Sequence, residues 1–131
     1  MAIENEIVVY RFEDKTFKLK IRDAVGALID FSTGYDNIVI IIYNADRTVL
    51  QQYSRTTTVG WKAIDVTNQA SGEFSVVLES ADTESATLQK KYIEVLVRKT
   101  SGLVAGGKYD TISSKYLFTL KDSISSAVTL P

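Results

Sequence analysis

At 131 residues, with 45% hydrophobic and 24% charged residues, the chain has the size and composition of one globular domain, which excludes a disordered or fibrous protein. Fifteen Lys and Arg against sixteen Asp and Glu leave a net charge of −1, so no overall field draws the protein to nucleic acid or to an anionic membrane surface. Absence of Cys and His removes thiol nucleophiles, imidazole bases, disulfides and the usual zinc ligand sets, and most catalytic designs with them.

The opening Met1 to Glu6 is acidic and has no apolar leader core, and no window approaches the roughly 18 apolar residues of a spanning helix. Ile7 to Phe12 has the composition of a first strand, closed by the polar Glu13-Asp14-Lys15. From Thr16 the alternation is clean, with Phe17, Leu19 and Ile21 on one face and Lys18, Lys20 and Arg22 on the other. Asp23 to Gly26 and Ser32 to Gly34 supply turn chemistry on either side of a short extended piece.

Tyr35 to Tyr43 breaks the pattern. Its core, Ile38-Val39-Ile40-Ile41-Ile42-Tyr43, is apolar on both faces, whereas an antiparallel strand with one wet face alternates. A second surface must therefore cover the face that does not meet the core, from this chain or from another. Asn44 to Arg47 then predicts a hairpin into Thr48 to Tyr53, followed by an exposed loop from Ser54 to Gly60. A further strand is expected over Trp61 to Val66.

After Gly72, Phe74, Val76 and Leu78 alternate with more polar neighbours and predict a strand. Ser80 or Asp82 can cap one short helical turn, with Leu88 available to the core. Lys91 to Thr100 places Ile93, Val95 and Val97 opposite Tyr92, Glu94, Leu96 and Arg98; a last strand spans Ser114 to Lys121, with Tyr116, Phe118 and Leu120 aligned. These readings divide the chain into a single domain at 1–121 and a Ser-rich tail at 122–131. Seven or eight short strands with no long helical pattern predict a β-sandwich, with a barrel as the alternative.

Candidate chemistry is sparse. Gly102 to Lys108 fits a phosphate-cradling loop until Tyr109 stands where a Ser or Thr is needed, and no helical pattern follows. Asp30, Asp36, Asp65, Glu79 and Asp82 form no recognisable acid–base pair, and calcium-loop spacing is absent. The row Lys18, Lys20, Arg22 reads as a solvated strand face. Trp61 with Tyr53 is a possible glycan contact, a flat platform for sugar faces, although a lone Trp more often fills a core. No cofactor, metal or catalytic residue is expected.

The succession Lys15 to Ile21, Asp23-Ala24-Val25-Gly26 and Leu28-Ile29-Asp30-Phe31-Ser32-Thr33-Gly34 resembles the opening of Ig-like domains in tailed-phage virion proteins, notably the N-terminal domain of baseplate upper proteins. The alternate Ile38, Ile40 and Ile42, the run Gly72-Glu73-Phe74-Ser75-Val76, and Asp82-Thr83 through Leu88 to Tyr92-Ile93-Glu94-Val95 continue the likeness. The chain departs from that pattern in lacking a Gly shortly before Tyr92. The resemblance implies an all-β, Ig-like antiparallel β-sandwich of seven to eight strands with one short helical turn. It places Ile38, Ile40 and Ile42 in the core and leaves Val39, Ile41 and Tyr43 as the interface. It further implies a non-enzymatic virion structural protein of the tail, baseplate or neck, assembled in the host cytoplasm. Its partners would be other virion proteins and copies of itself in a symmetric assembly, not nucleic acid or membrane. A head decoration protein and a carbohydrate-binding module using Trp61 and Tyr53 are the alternatives.

Overall fold

In the computed structural model, which describes residues 8–11, 13–83, 89–100 and 109–121, the alternating stretches of the sequence become eight strands. They are β1 (Val8–Tyr10), β2 (Lys15–Lys20), β3 (Tyr35–Asn44), β4 (Val49–Ser54), β5 (Lys62–Ala63), β6 (Glu73–Leu78), β7 (Lys90–Lys99) and β8 (Asp110–Lys121). A 3-10 turn at Gln69–Ser71 and one helical turn, α1 (Ser80–Thr83), complete the described elements. Ile7, Phe12, Leu88, the loop 102–108 and the tail 122–131, all of which carried expectations, lie outside the described residues.

The strands form a six-stranded sheet in the order β1-β8-β7-β3-β4-β5 and a two-stranded sheet, β2-β6. Lettering β2, β3, β4, β6, β7 and β8 as B, C, C′, E, F and G gives a G-F-C-C′ sheet facing a B-E pair, the arrangement of an immunoglobulin-type sandwich. The inner faces supply one core, in which Phe17 stacks on Phe118 at 5.3 Å between ring centres and Phe31 meets Phe74 at 5.0 Å. Ile38, Ile40 and Ile42 have no exposed surface and occupy the middle of that core. Phe17, Leu19 and Ile21 of the second strand region are buried as their alternation predicts, while Lys18, Lys20 and Arg22 are exposed.

Several details differ from expectation. Two pairings are parallel rather than antiparallel: β1 with β8, and β5 with β4. The first arises because β1 and β2 are adjacent in sequence yet belong to opposite sheets, so β1 lies along the last strand. The expected strand from Trp61 to Val66 shrinks to Lys62–Ala63. The next turn of chain leaves the large sheet, and Asp65 makes a bridge to Ser75 of β6 through two backbone hydrogen bonds of 2.9 and 3.2 Å. That bridge joins the edges of the two sheets. Asp82 does not cap α1 from outside but sits within it, accepting a hydrogen bond from the Glu79 backbone N–H at 2.9 Å. In β8 a bulge opposite Lys91 and Tyr92 turns both Leu117 and Phe118 inward, so the strand does not keep strict alternation.

Candidate functional site

β3 is flanked by β7 on one side and β4 on the other, which fixes what lies beside each of its outward-facing residues. Val39 stands between Leu96 and Ser54, Ile41 between Glu94 and Gln52, and Tyr43 between Tyr92 and Val49. Paired residues point to the same face of a sheet, so these three rows form one outer surface that is apolar and aromatic along its middle. Tyr43 stacks on Tyr92 at 5.7 Å, the Arg47 guanidinium lies 5.8 Å from the Tyr43 ring centre, and the Tyr43 hydroxyl is 3.3 Å from Ser114 Oγ. Arg47 holds this place from the β3–β4 hairpin, where it takes the left-handed conformation at φ 74° that a bulged turn requires.

The three predicted interface residues are thus brought together on one face, but they are not equivalent. Val39 is only 7% exposed, while Ile41 and Tyr43 are half-buried. The difference comes from the loop after β4, which folds back over the upper end of the sheet. Arg55 anchors it: its backbone N–H donates to Ile38 C=O, and its guanidinium donates to Phe31 C=O at 2.7 Å, Gln69 Oε1 at 3.0 Å and Tyr35 C=O. Burial lowers the Arg55 pKa from its ordinary value. Asn37 Oδ1 accepts the Thr56 backbone N–H at 3.0 Å, and Gln52 Nε2 donates to Gly60 C=O at 3.0 Å. The loop therefore delivers Trp61 to the outer face, where with Tyr109 and Leu96 it bounds a groove of about 350 Å³ floored by Val39 and Ile41.

Tyr53, the other residue of the predicted glycan platform, faces the opposite way. It pairs with Ile40, has 1% of its surface exposed, and donates its hydroxyl to Val77 C=O at 2.6 Å. Burial, then the charges of Asp82 and Glu79, pushes its phenol above the ordinary range. Tyr53 ties the two sheets together inside the sandwich, whereas Trp61 lines the outside, so the two rings do not form one platform.

A second concavity of about 660 Å³ opens at the β5 edge beside Tyr53, lined by Thr16, Lys62, Ser75 and Glu79 among others. Its one lysine is already held by carboxylates. Lys62 Nζ lies 3.0 Å from Asp82 and 3.5 Å from Glu79, and Asp82 also accepts from Gln51 Nε2 at 2.7 Å. The arrangement fastens α1 to β4 and β5. Asp30 and Asp65 are engaged in local turns with Ser32 and Thr67, and among the described residues no group of three or more acidic side chains could hold a metal ion. No helix among them is long and apolar enough to cross a membrane.

Asn37, Arg55, Leu96 and Tyr109 were not singled out by sequence reasoning. Asn37 had a usable signal, being a polar residue at the head of an apolar run, where a buried amide needs partners; it is 5% exposed and donates to Ser54 Oγ and Tyr109 Oη, both at 3.0 Å. The fold and this surface define an immunoglobulin-like sandwich with an apolar, aromatic outer face on its larger sheet. No family model, curated protein or solved structure matches the chain.

Proposed function

We propose that this sandwich is a non-enzymatic structural module that works by protein–protein association through the outer face of its six-stranded sheet, as a virion component of a tailed phage. The carrying observation is that β3, the strand with apolar residues on both faces, sends one set into the core and presents the other as a row with Tyr92 and Leu96. Such a face is costly to leave in water, and aromatic side chains beside aliphatic ones are enriched at protein interfaces. The phage assignment is supported by the series of motifs from Lys15 to Val95 and by the immunoglobulin-type strand order that those motifs imply. Within a virion the placement in tail, baseplate or neck follows the same resemblance, with copies of the chain and neighbouring virion proteins as partners.

Sedimentation equilibrium of the purified chain, alone and with other proteins of its virion, tests this. Association of the wild-type chain and its weakening by at least about tenfold in Ile41→Asp are expected, because a buried unpaired carboxylate costs more than the roughly 1.4 kcal/mol that tenfold represents. A chain that stays monomeric at high micromolar concentration and binds none of those proteins would overturn the reading.

A further inference from the structure

The groove on the outer face has a one-sided chemistry. Its floor is aliphatic, from Val39 and Ile41, and its walls are aromatic, from Trp61 and Tyr109. Around it the side-chain hydrogens of Asn37 are spent on Ser54 and Tyr109, that of Ser54 points back to Asn37 Oδ1 at 3.4 Å, and that of Thr58 goes to Thr56 C=O at 2.9 Å. Tyr109 Oη accepts from Asn37, which leaves its own hydrogen available. Trp61 makes no side-chain hydrogen bond among the described residues, so its indole N–H is a second available donor. Arg98, beside Tyr109 at 5.4 Å, is paired with Asp36 at 3.9 Å, and no carboxylate lines the groove.

Two donors between aromatic walls, with the side-chain oxygens of Asn37 and Ser54 engaged and only the hydroxyl oxygens of Thr58 and Tyr109 left to accept, complement a ligand that offers acceptors and apolar surface but few donors. A sugar matches this pattern less well, since each of its several hydroxyls brings a hydrogen that needs an acceptor. A polypeptide rich in proline does. Its backbone keeps every carbonyl and loses the N–H groups, its rings pack on aromatic faces, and its extended helix is already ordered before binding.

We infer that the groove between Trp61 and Tyr109 binds a proline-rich segment of a partner protein in the polyproline II conformation, with the Trp61 indole N–H and the Tyr109 hydroxyl donating to its carbonyls. This rests on the reading that the outer face is the contact surface, and supplies the chemistry of one anchoring point on it. The groove volume, about 350 Å³, sits at the small end of ligand pockets and suits a few residues of such a segment.

Fluorescein-labelled decaproline, titrated with the full chain and followed by anisotropy, is the test, with the emission of Trp61, the single tryptophan, as a local readout. Saturable binding with a shift in Trp61 emission is expected. Trp61→Phe and Tyr109→Phe, each keeping a ring while removing a donor, weaken it by about tenfold, the equivalent of one hydrogen bond, with melting temperatures close to wild type. A labelled Gly-Ser repeat of the same length does not bind. The inference is overturned by absence of saturable decaproline binding, by equal binding of the Gly-Ser repeat, by unchanged affinity in folded Trp61→Phe, or by displacement of decaproline with maltohexaose. Loss of decaproline binding while Ile41→Asp still abolishes association would remove the groove's role and leave the wider interface intact. The converse result would remove association and leave the groove.

Discussion

Gly72 shows how much of this architecture rests on single backbone positions. It ends the 3-10 turn at φ 72°, a conformation open to glycine and strained for other residues, and its backbone runs against two others. A Cβ built there lies 2.8 Å from Ile21 C=O and 2.9 Å from Ile29 C=O, so the obstruction is backbone and cannot rotate away. Gly72 C=O meanwhile accepts from Ile21 N–H at 2.9 Å, which holds the end of the β2 segment to the start of β6. Gly72→Ala therefore combines left-handed strain with a steric clash and is expected to cost on the order of 3 kcal/mol. Urea denaturation would measure it; a cost below about 0.5 kcal/mol would show that the two loops part easily. The sequence placed a glycine before a strand, but only the crossing of residues 21, 29 and 72 explains why nothing larger fits.

At the scale of elements, β3 separates two kinds of apolar residue that are indistinguishable by composition. Ile40 has no exposed surface and sits opposite Val95 and Tyr53, all directed into the core. Ile41, its neighbour, sits half-exposed on the outer face between Glu94 and Gln52. Ile40→Ala should thus cost about 3 kcal/mol, a transfer loss plus the cavity left behind, with any association unchanged in the molecules that remain folded. Ile41→Asp should cost about 1 kcal/mol of stability and act mainly on association. Paired denaturation and sedimentation measurements check the contrast, and equal destabilisation by both would move Ile41 into the core.

The same scale explains what could be read in advance. β2 and β6 were legible because each has one wet face and so alternates, and β7 because Ile93, Val95 and Val97 recur at every second position. β5 was not, because a two-residue pairing leaves no period to detect, and the expected strand at 61–66 divides at the point where the chain passes between sheets. The joint use of Trp61 and Tyr53 failed for a related reason. Side-chain direction in Tyr53 is fixed by its register against Ile40, and that of Trp61 by a folded-back loop, neither of which is visible in their spacing. Bulges in β8 likewise shift parity midway, which is why Leu117 is core although the alternation pointed outward.

The whole molecule carries a pH dependence written into its connections. Asp30, Asp46 and Asp65 each open a three-residue turn in which one carboxylate oxygen accepts both the backbone N–H and the hydroxyl of the residue two positions on, namely Ser32, Thr48 and Thr67. In each case the hydroxyl hydrogen bond is the largest influence and the backbone N–H the next, and together they hold the carboxyl below its ordinary 3.8. These turns occupy three separate connections: before β3, in the β3–β4 hairpin, and between β5 and β6 beside the bridge that joins the sheets. A carboxyl whose folded pKa is depressed contributes stability that is present above the unfolded value and is lost as the pH falls through the folded one. Stability should therefore be level through mildly acid solution and decline below about pH 4, as protons are taken up by the unfolded chain before the folded one. A triple variant, Asp30→Asn, Asp46→Asn and Asp65→Asn, keeps a local acceptor in each turn but removes the titration, so its melting temperature should fall less steeply between about pH 4 and pH 2. Thermal unfolding followed by circular dichroism at a series of pH values compares the slopes. Identical slopes would place the acid sensitivity outside these three turns and would separate the turns that shape the sandwich from the charges that destabilise it.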